Sequence, residues 1–240
     1  MKYALITGPT GFPLIMDFRL SYHLVLAQYA STLGYIDFYK TRHLAGDFIM
    51  VDNGAAEFGK SIGMDDIVTA AEGIGADEII VPDVLDDSEA TIALAKETYW
   101  RIPMMKRAIV PQGHDWVSWF HCLTELVSLG CQTICIAKRY ERLPGGRVRA
   151  LQILADNHML LNHHIHLLGF DQDPIAEVCS ALSFYPDIRG VDSAAPIAYA
   201  QKGMEINTNV HESYEWNKSY SYELAVGNVN TILNACNPEY

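Results

Sequence analysis

The sequence predicts an α/β fold, a (β/α)8 barrel of the TIM type, as a single domain. Three observations carry this expectation. Short β-branched apolar runs recur, and from the second run onward they start every 23–32 residues, the length of a strand, a crossover helix and a loop. The runs do not alternate apolar with polar residues, which suits strands buried on both faces of a parallel sheet. The chain has 240 residues, a length that one such barrel fills as a unit. An open doubly wound sheet is the runner-up, weakened because no Gly-x-Gly-x-x-Gly follows the first strand.

In order, the predicted strands are YALIT (3–7), FIMVD (48–52), EIIVP (78–82), RAIVP (107–111), TICIA (133–137), IHLLG (165–169) and IRGVD (188–192). A short eighth is expected near MEIN (204–207). Helical patterns fill the intervals. Residues 64–75 open with acidic residues and stop at Gly75, and residues 86–100 offer Asp86 or Asp87 as an N-cap. The helix at 115–130 starts on Asp115 and ends on Gly130. Helices at 147–161 and 173–183 follow, the latter with Pro174 in its first turn. Residues 220–236 read as a terminal helix containing Gly227. No low-complexity linker divides residues 1–240, so one domain is expected.

Composition narrows the function classes. Half of the residues are hydrophobic and 19% are charged, as in a folded globular chain. No apolar run reaches the ~18 residues of a membrane span. The amino terminus meets Gly8 and Pro9 before a signal-type core can form. Five irregularly spaced cysteines suit reduced thiols, so a cytoplasmic location is expected. Seventeen basic against 29 acidic residues give a net charge of −12, a poor composition for a nonspecific nucleic-acid coat. One local exception is 138–149, where Lys138, Arg139, Arg142, Arg147 and Arg149 face Glu141 alone. It has two readings, a solvated loop and helix start or a phosphate-contacting patch.

In parallel barrels the carboxyl ends of the strands line the active face. The predicted ends carry Asp52-Asn53-Gly54, Pro82-Asp83, Pro111-Gln112-Gly113, Ala137-Lys138, Leu168-Gly169 and Asp192-Ser193. A lone Asp at such a place often just caps the next helix. Three carboxylates at one mouth repel one another, a cost found chiefly where chemistry needs it.

Read in order, these ends resemble the tRNA-guanine transglycosylase superfamily, (β/α)8 barrels that exchange guanine for a 7-deazaguanine base. FIMVDNGAAE (48–57) is similar to the family's Asp-Ser-Gly-Gly-Phe-Gln segment, with Asp52 in the Asp place. IVPQG resembles its Val-Gln-Gly, with Gln112 and Gly113, and HLLG its Leu-Met-Gly, ending at Gly169. RGVDSAAPIAYAQKG resembles the Gly-Val-Asp segment that holds the nucleophile, with Asp192 in that place. The likeness covers roughly residues 45–203. There are departures: Ala55-Ala56 replace the tandem glycines, Glu57 replaces the Gln, and the family's zinc-binding cysteines are missing. A compact chain without the zinc site looks most like the phage members of the DpdA-type transglycosylases, which act on DNA.

The resemblance implies a pentosyltransferase that exchanges guanine in DNA for 7-cyano-7-deazaguanine or an analogue and needs no cofactor or metal. Asp192 is implied as nucleophile and Asp52 as general acid/base. Asp83, Gln112, Gly113, Asn53, Lys138 and Gly169 are implied around the base, although a tight turn explains Gly169 equally well. The basic residues of 138–149 would contact DNA. Phe48, Phe58, Phe170 and Tyr199 are candidates either for stacking a flipped base or for the core. The alternatives are a tRNA-acting transglycosylase, a barrel nucleoside hydrolase or lyase on a small metabolite, and a noncatalytic nucleic-acid adaptor. His158, His163, His164 and His166 are expected on the amino-terminal face as surface or helix-end residues. The aromatic tail (Tyr214, Trp216, Tyr220, Tyr222) has two readings, a homodimer surface or a nucleic-acid contact.

Overall fold

The computed structural model describes residues 1–102, 106–171, 173–206, 214–216 and 218–237. Its centre is a barrel of eight parallel strands: β1 (Lys2–Leu5), β2 (Tyr22–Leu26), β3 (Phe48–Asp52), β4 (Glu78–Ile80), β5 (Lys106–Ile109), β6 (Thr133–Ala137), β7 (His164–Leu168) and β8 (Gly190–Ser193). Ladders run from β1 through β8, β7, β6, β5, β4 and β3 to β2. Strands β1 and β2 lie side by side at the seam, so the (β/α)8 barrel is closed but for one ladder.

The eighth strand is not where the sequence placed it. Met204–Ile206 form a loop, and Asn207 lies outside the described residues. The missing stave is β2, second in the chain, paired with β3 from Tyr22↔Phe48 to Leu26↔Asp52. Its Tyr-His start lacks the β-branched character of the other runs.

Among the described residues, ten α-helices surround the barrel: α1 (Phe12–Asp17), α2 (Tyr35–Leu44), α3 (Ala55–Phe58), α4 (Met64–Ile74), α5 (Ser88–Thr98), α6 (Trp116–Ser128), α7 (Gly146–Asp156), α8 (Pro174–Phe184), α9 (Ala195–Gln201) and α10 (Tyr222–Cys236). Side-chain caps fix where several begin. Asp87 accepts from the N–H of Ala90, Asp173 from that of Ala176, and Asp115 forms a capping box with Ser118. The helix expected over 147–161 is shorter, because the chain turns at His158, a non-glycine residue with φ 58°.

Side chains alternate between two cores. Ile79, Ile109, Ile134, Ile165 and Val191 face the helices. Ala4, Leu24, Met50, Ile80, Ala108 and Cys135 fill the barrel. Each fully buried Ile or Leu contributes about 1.5–3 kcal/mol. The amino end of the barrel is plugged by a charge pair: Arg189 donates to both oxygens of Glu78 at 3.0 and 2.7 Å, and Thr133 Oγ1 donates to the same carboxylate. The Arg189 guanidinium lies 4.7 Å from the centre of the Phe48 ring, which stacks on Tyr22. A Cβ on Gly190 would sit 2.4 Å from the Tyr22 ring, so β8 needs glycine there. Phe48 thus belongs to the plug at the amino end, away from the carboxyl ends of the strands. Among the described residues, no helix is long and apolar enough to cross a membrane.

Candidate active site

The opposite end of the barrel is open. A cavity of about 520 Å³ at the carboxyl mouth is lined by Asp52, Asn53, Asp83, Gln112, Lys138, Gly169 and Asp192, among others. Residues from six different strand ends converge there, as the parallel topology dictates. Gly113 lies behind the wall: its N–H donates to Tyr140 Oη at 3.1 Å, and a Cβ there would meet the Trp119 backbone nitrogen at 2.4 Å.

Hydrogen bonds hold the polar wall in place. Asn53 Nδ2 donates to Asp83 Oδ1 at 2.6 Å and to the Val81 carbonyl at 3.0 Å, while its Oδ1 accepts from the N–H of Ala55. These bonds make Asn53 a strut between β3 and β4. Gln112 Nε2 donates to Asp83 Oδ2 at 2.6 Å, and Gln112 Oε1 accepts from Tyr140 Oη and the N–H of Asp86. The amide is therefore fixed with its nitrogen toward Asp83. Burial pushes the Asp83 carboxyl up to about 6, against the lowering effect of the Asn53 and Gln112 bonds and of Arg139.

Asp52 is the more perturbed acid. Burial, then the nearby Glu57, raises it to about 8. The N–H of Gly54, which bonds Asp52 Oδ2 at 3.1 Å, works the other way, and Asp192 and Asp83 add smaller upward pushes. Gly54 has φ 76°, a left-handed turn that brings its N–H back onto the carboxyl. Near neutral pH, Asp52 therefore carries a proton that an ordinary Asp has lost.

Asp192 is held differently. Its Oδ1 accepts from His166 Nε2 at 2.9 Å and from the N–H of Gly169 at 3.3 Å. His166 is fully buried inside the barrel, which corrects the expectation of a histidine on the amino-terminal face. The signal was present: Ile165 and Leu167 face the helices, so the period of two turns His166 inward. Of its neighbours in the run, His164 is exposed at the start of β7, and His163 bonds the Met159 carbonyl. Among the described residues no three His, Cys, Asp or Glu side chains converge as a metal site.

The basic segment is largely neutralised by its own chain. Arg139 pairs with Asp86, and Arg142 with Asp171 at 2.8 Å, both at the cavity rim. Arg147 must be removed from the phosphate-binding set: it is 1% exposed and bonded to Glu141, Glu177 and the Gly169 carbonyl. Arg149 is exposed on α7 and lies outside the cavity lining. Of the four aromatic candidates, Phe170 and Tyr199 line the cavity, Phe58 is exposed and Phe48 is in the plug.

Three aromatics that the sequence did not assign to the mouth also line it: Tyr29, Tyr214 and Trp216. Trp216 stacks on Tyr29 with centroids 3.6 Å apart, and Tyr214 Oη accepts from the N–H of Gly8. Tyr220 donates to the Thr10 carbonyl, and Tyr222 bonds Asp17. The tail thus folds back on its own barrel.

Fold and site together define a (β/α)8 barrel with a carboxyl-lined cavity at the mouth where such barrels carry out chemistry. Comparison with protein-family models and with curated proteins finds no match to this chain. The likeness to the transglycosylase motifs therefore rests on the strand-end residues alone.

Proposed function

We propose that the chain exchanges guanine in DNA for 7-cyano-7-deazaguanine or a close analogue, through a glycosyl ester on Asp192. One observation carries the reading: two carboxyl groups line one cavity, Asp52 holding a proton near neutral pH and Asp192 accepting hydrogen bonds on one oxygen. That division of labour is the one retaining glycosyl transfer requires. An Asp192 oxygen bonds to C1′ as the C1′–N9 bond breaks and its electron pair leaves with N9. Asp52 gives its proton to the departing guanine. The incoming base then returns its N9 proton to Asp52, N9 attacks C1′, and the ester bond breaks to restore the Asp192 carboxylate. Two inversions retain the sugar configuration.

Asp83 accepts from the N1–H and exocyclic amine of a guanine-like edge, and Gln112 offers its second amide hydrogen to O6. An adenine edge leaves these buried groups mismatched, at about 1–3 kcal/mol each. The target nucleotide must leave the stack to enter the cavity. The test is release of labelled guanine from DNA supplied with the deaza base, together with trapping of a covalent adduct. Wild-type protein releases guanine, and Asp192→Asn neither releases it nor forms the adduct. If no guanine leaves either DNA or tRNA, the reading is wrong.

A second reading, a nucleoside hydrolase or lyase on a small metabolite, is favoured by the ion pairing of the rim arginines. Turnover of a free nucleoside that competing DNA and added salt leave unchanged would select it.

A further inference from the structure

We infer that His166, backed by Tyr22 from across the barrel, is the positioning residue of Asp192, pinning Oδ1 so that Oδ2 is the oxygen presented to the cavity. The inference about Oδ2 as nucleophile rests on the base-exchange reading; the pinning does not.

Among the described residues, both hydrogen bonds to the Asp192 carboxyl fall on Oδ1, from His166 Nε2 and from the N–H of Gly169. A carboxylate only accepts, so Nε2 of His166 carries hydrogen. In a neutral ring Nδ1 is then an acceptor, and Tyr22 Oη lies 2.8 Å from it. Burial pushes the Tyr22 phenol well above its ordinary value, with Arg189 opposing, so the hydroxyl keeps its proton and donates it to Nδ1. The chain therefore runs one way, from Tyr22 Oη through the imidazole to Asp192 Oδ1, and it fixes the tautomer.

Three strands hold this relay. His166 lies opposite Gly190 in the β7–β8 register, two residues before Asp192 on the same inward face. The missing side chain at Gly190 gives the Tyr22 ring room to reach across from β2. Tyr22 is itself stacked on Phe48 and 2% exposed. A nucleophile whose carboxyl plane is set before substrate arrives needs no reorientation in either half of the reaction, and a misplacement of about 1 Å can cost roughly 100-fold in rate.

The test begins with ¹⁵N NMR of the imidazoles in the whole chain, which needs no substrate. His166 should show hydrogen on Nε2 and a bare Nδ1, and Tyr22→Phe should release the ring into a tautomer mixture while the fold persists. A ring protonated on Nδ1, or one that Tyr22→Phe leaves unaltered, overturns the pinning. Kinetics of adduct formation on guanine-containing DNA follow. His166→Leu should lower kcat roughly 100-fold with KM nearly unchanged, and His166→Gln, which keeps a donor, should recover most of the rate. Equal rates for wild type and His166→Leu, or an effect confined to KM, would overturn the positioning role. The expected tautomer in a wild-type protein that exchanges no base would sink the proposed function and leave the pinning standing.

Discussion

The two ends of the barrel both bury carboxyl groups and treat them oppositely. At the amino end, Glu78 receives two N–H bonds from Arg189 and a hydroxyl from Thr133, and aromatic rings fill the remaining space. At the carboxyl end, Asp52, Asp83 and Asp192 stand round a cavity, hydrogen-bonded by amides, an imidazole and backbone N–H groups. A bidentate guanidinium removes the charge problem; neutral donors only ease it. Packing requirements explain the first end. They do not explain three acids beside unfilled volume, and perturbed acids in a cleft are the usual mark of a functional site.

The largest contrast should appear when one carboxyl from each end is neutralised. On the proposed base-exchange reading, Asp192→Asn should lower guanine exchange at least about 10³-fold, because an amide is no substitute for the attacking carboxylate. Its melting temperature should stay close to that of wild type. Glu78→Gln should do the reverse. It leaves a buried guanidinium without its counter-charge, a loss of about 3–5 kcal/mol, which corresponds to roughly 10 °C in melting temperature for a chain of this size. Thermal denaturation and a guanine-release assay on both variants check the pair. Equal destabilisation by the two changes would erase the distinction between the ends.

Asp52 sharpens the contrast through pH. Its carboxyl rises from the ordinary 3.8 to about 8 on folding. Between those values the folded state holds a proton that the unfolded chain has lost, so this group's contribution to stability falls as pH rises through the window. Asp52→Asn, which cannot ionise, should therefore match wild type near pH 4 and exceed it progressively toward pH 8, by a few degrees at least. On the proposed reading the same change should slow exchange roughly 100-fold, since an amide cannot serve as the proton donor. Wild-type exchange should decline above about pH 8 for the same reason. A melting-temperature difference that does not vary with pH would show that Asp52 ionises normally.

The sequence displayed the mouth better than the strut work behind it. Asp52, Asp83, Gln112 and Asp192 were legible because strand ends in a parallel barrel are marked by a β-branched run and a turn, and a polar residue there has one place to go. Strand β2 was not, because Tyr22 and His23 open it; buried His23 bonds Asp47 at 2.8 Å, a partner a local pattern does not reveal. His166 was hidden by its company, since three neighbouring histidines suggested a polar surface, while strand parity alone pointed inward. Arg147 misled in the opposite sense. It sits in a basic run, but Glu177, thirty positions along and on another helix, turns it into a buried tie between α7 and α8.

The smallest expected effect lies at the rim and separates substrate classes. Arg142 has an exposed side chain and pairs with Asp171. Asp171 is buried, so Arg142→Ala strands its carboxylate and should lower the melting temperature by about a few degrees, less than Glu78→Gln does. If the cavity receives a nucleotide flipped from DNA, Arg142 exchanges Asp171 for a phosphate during binding. Its removal should then reduce the slope of log affinity against log salt by about one, equally for every DNA sequence tried. If the substrate is a free nucleoside, no phosphate passes the rim and the slope is unaltered. Salt titrations of binding for wild type and Arg142→Ala therefore decide whether the substrate carries a phosphate backbone past the Arg142–Asp171 pair.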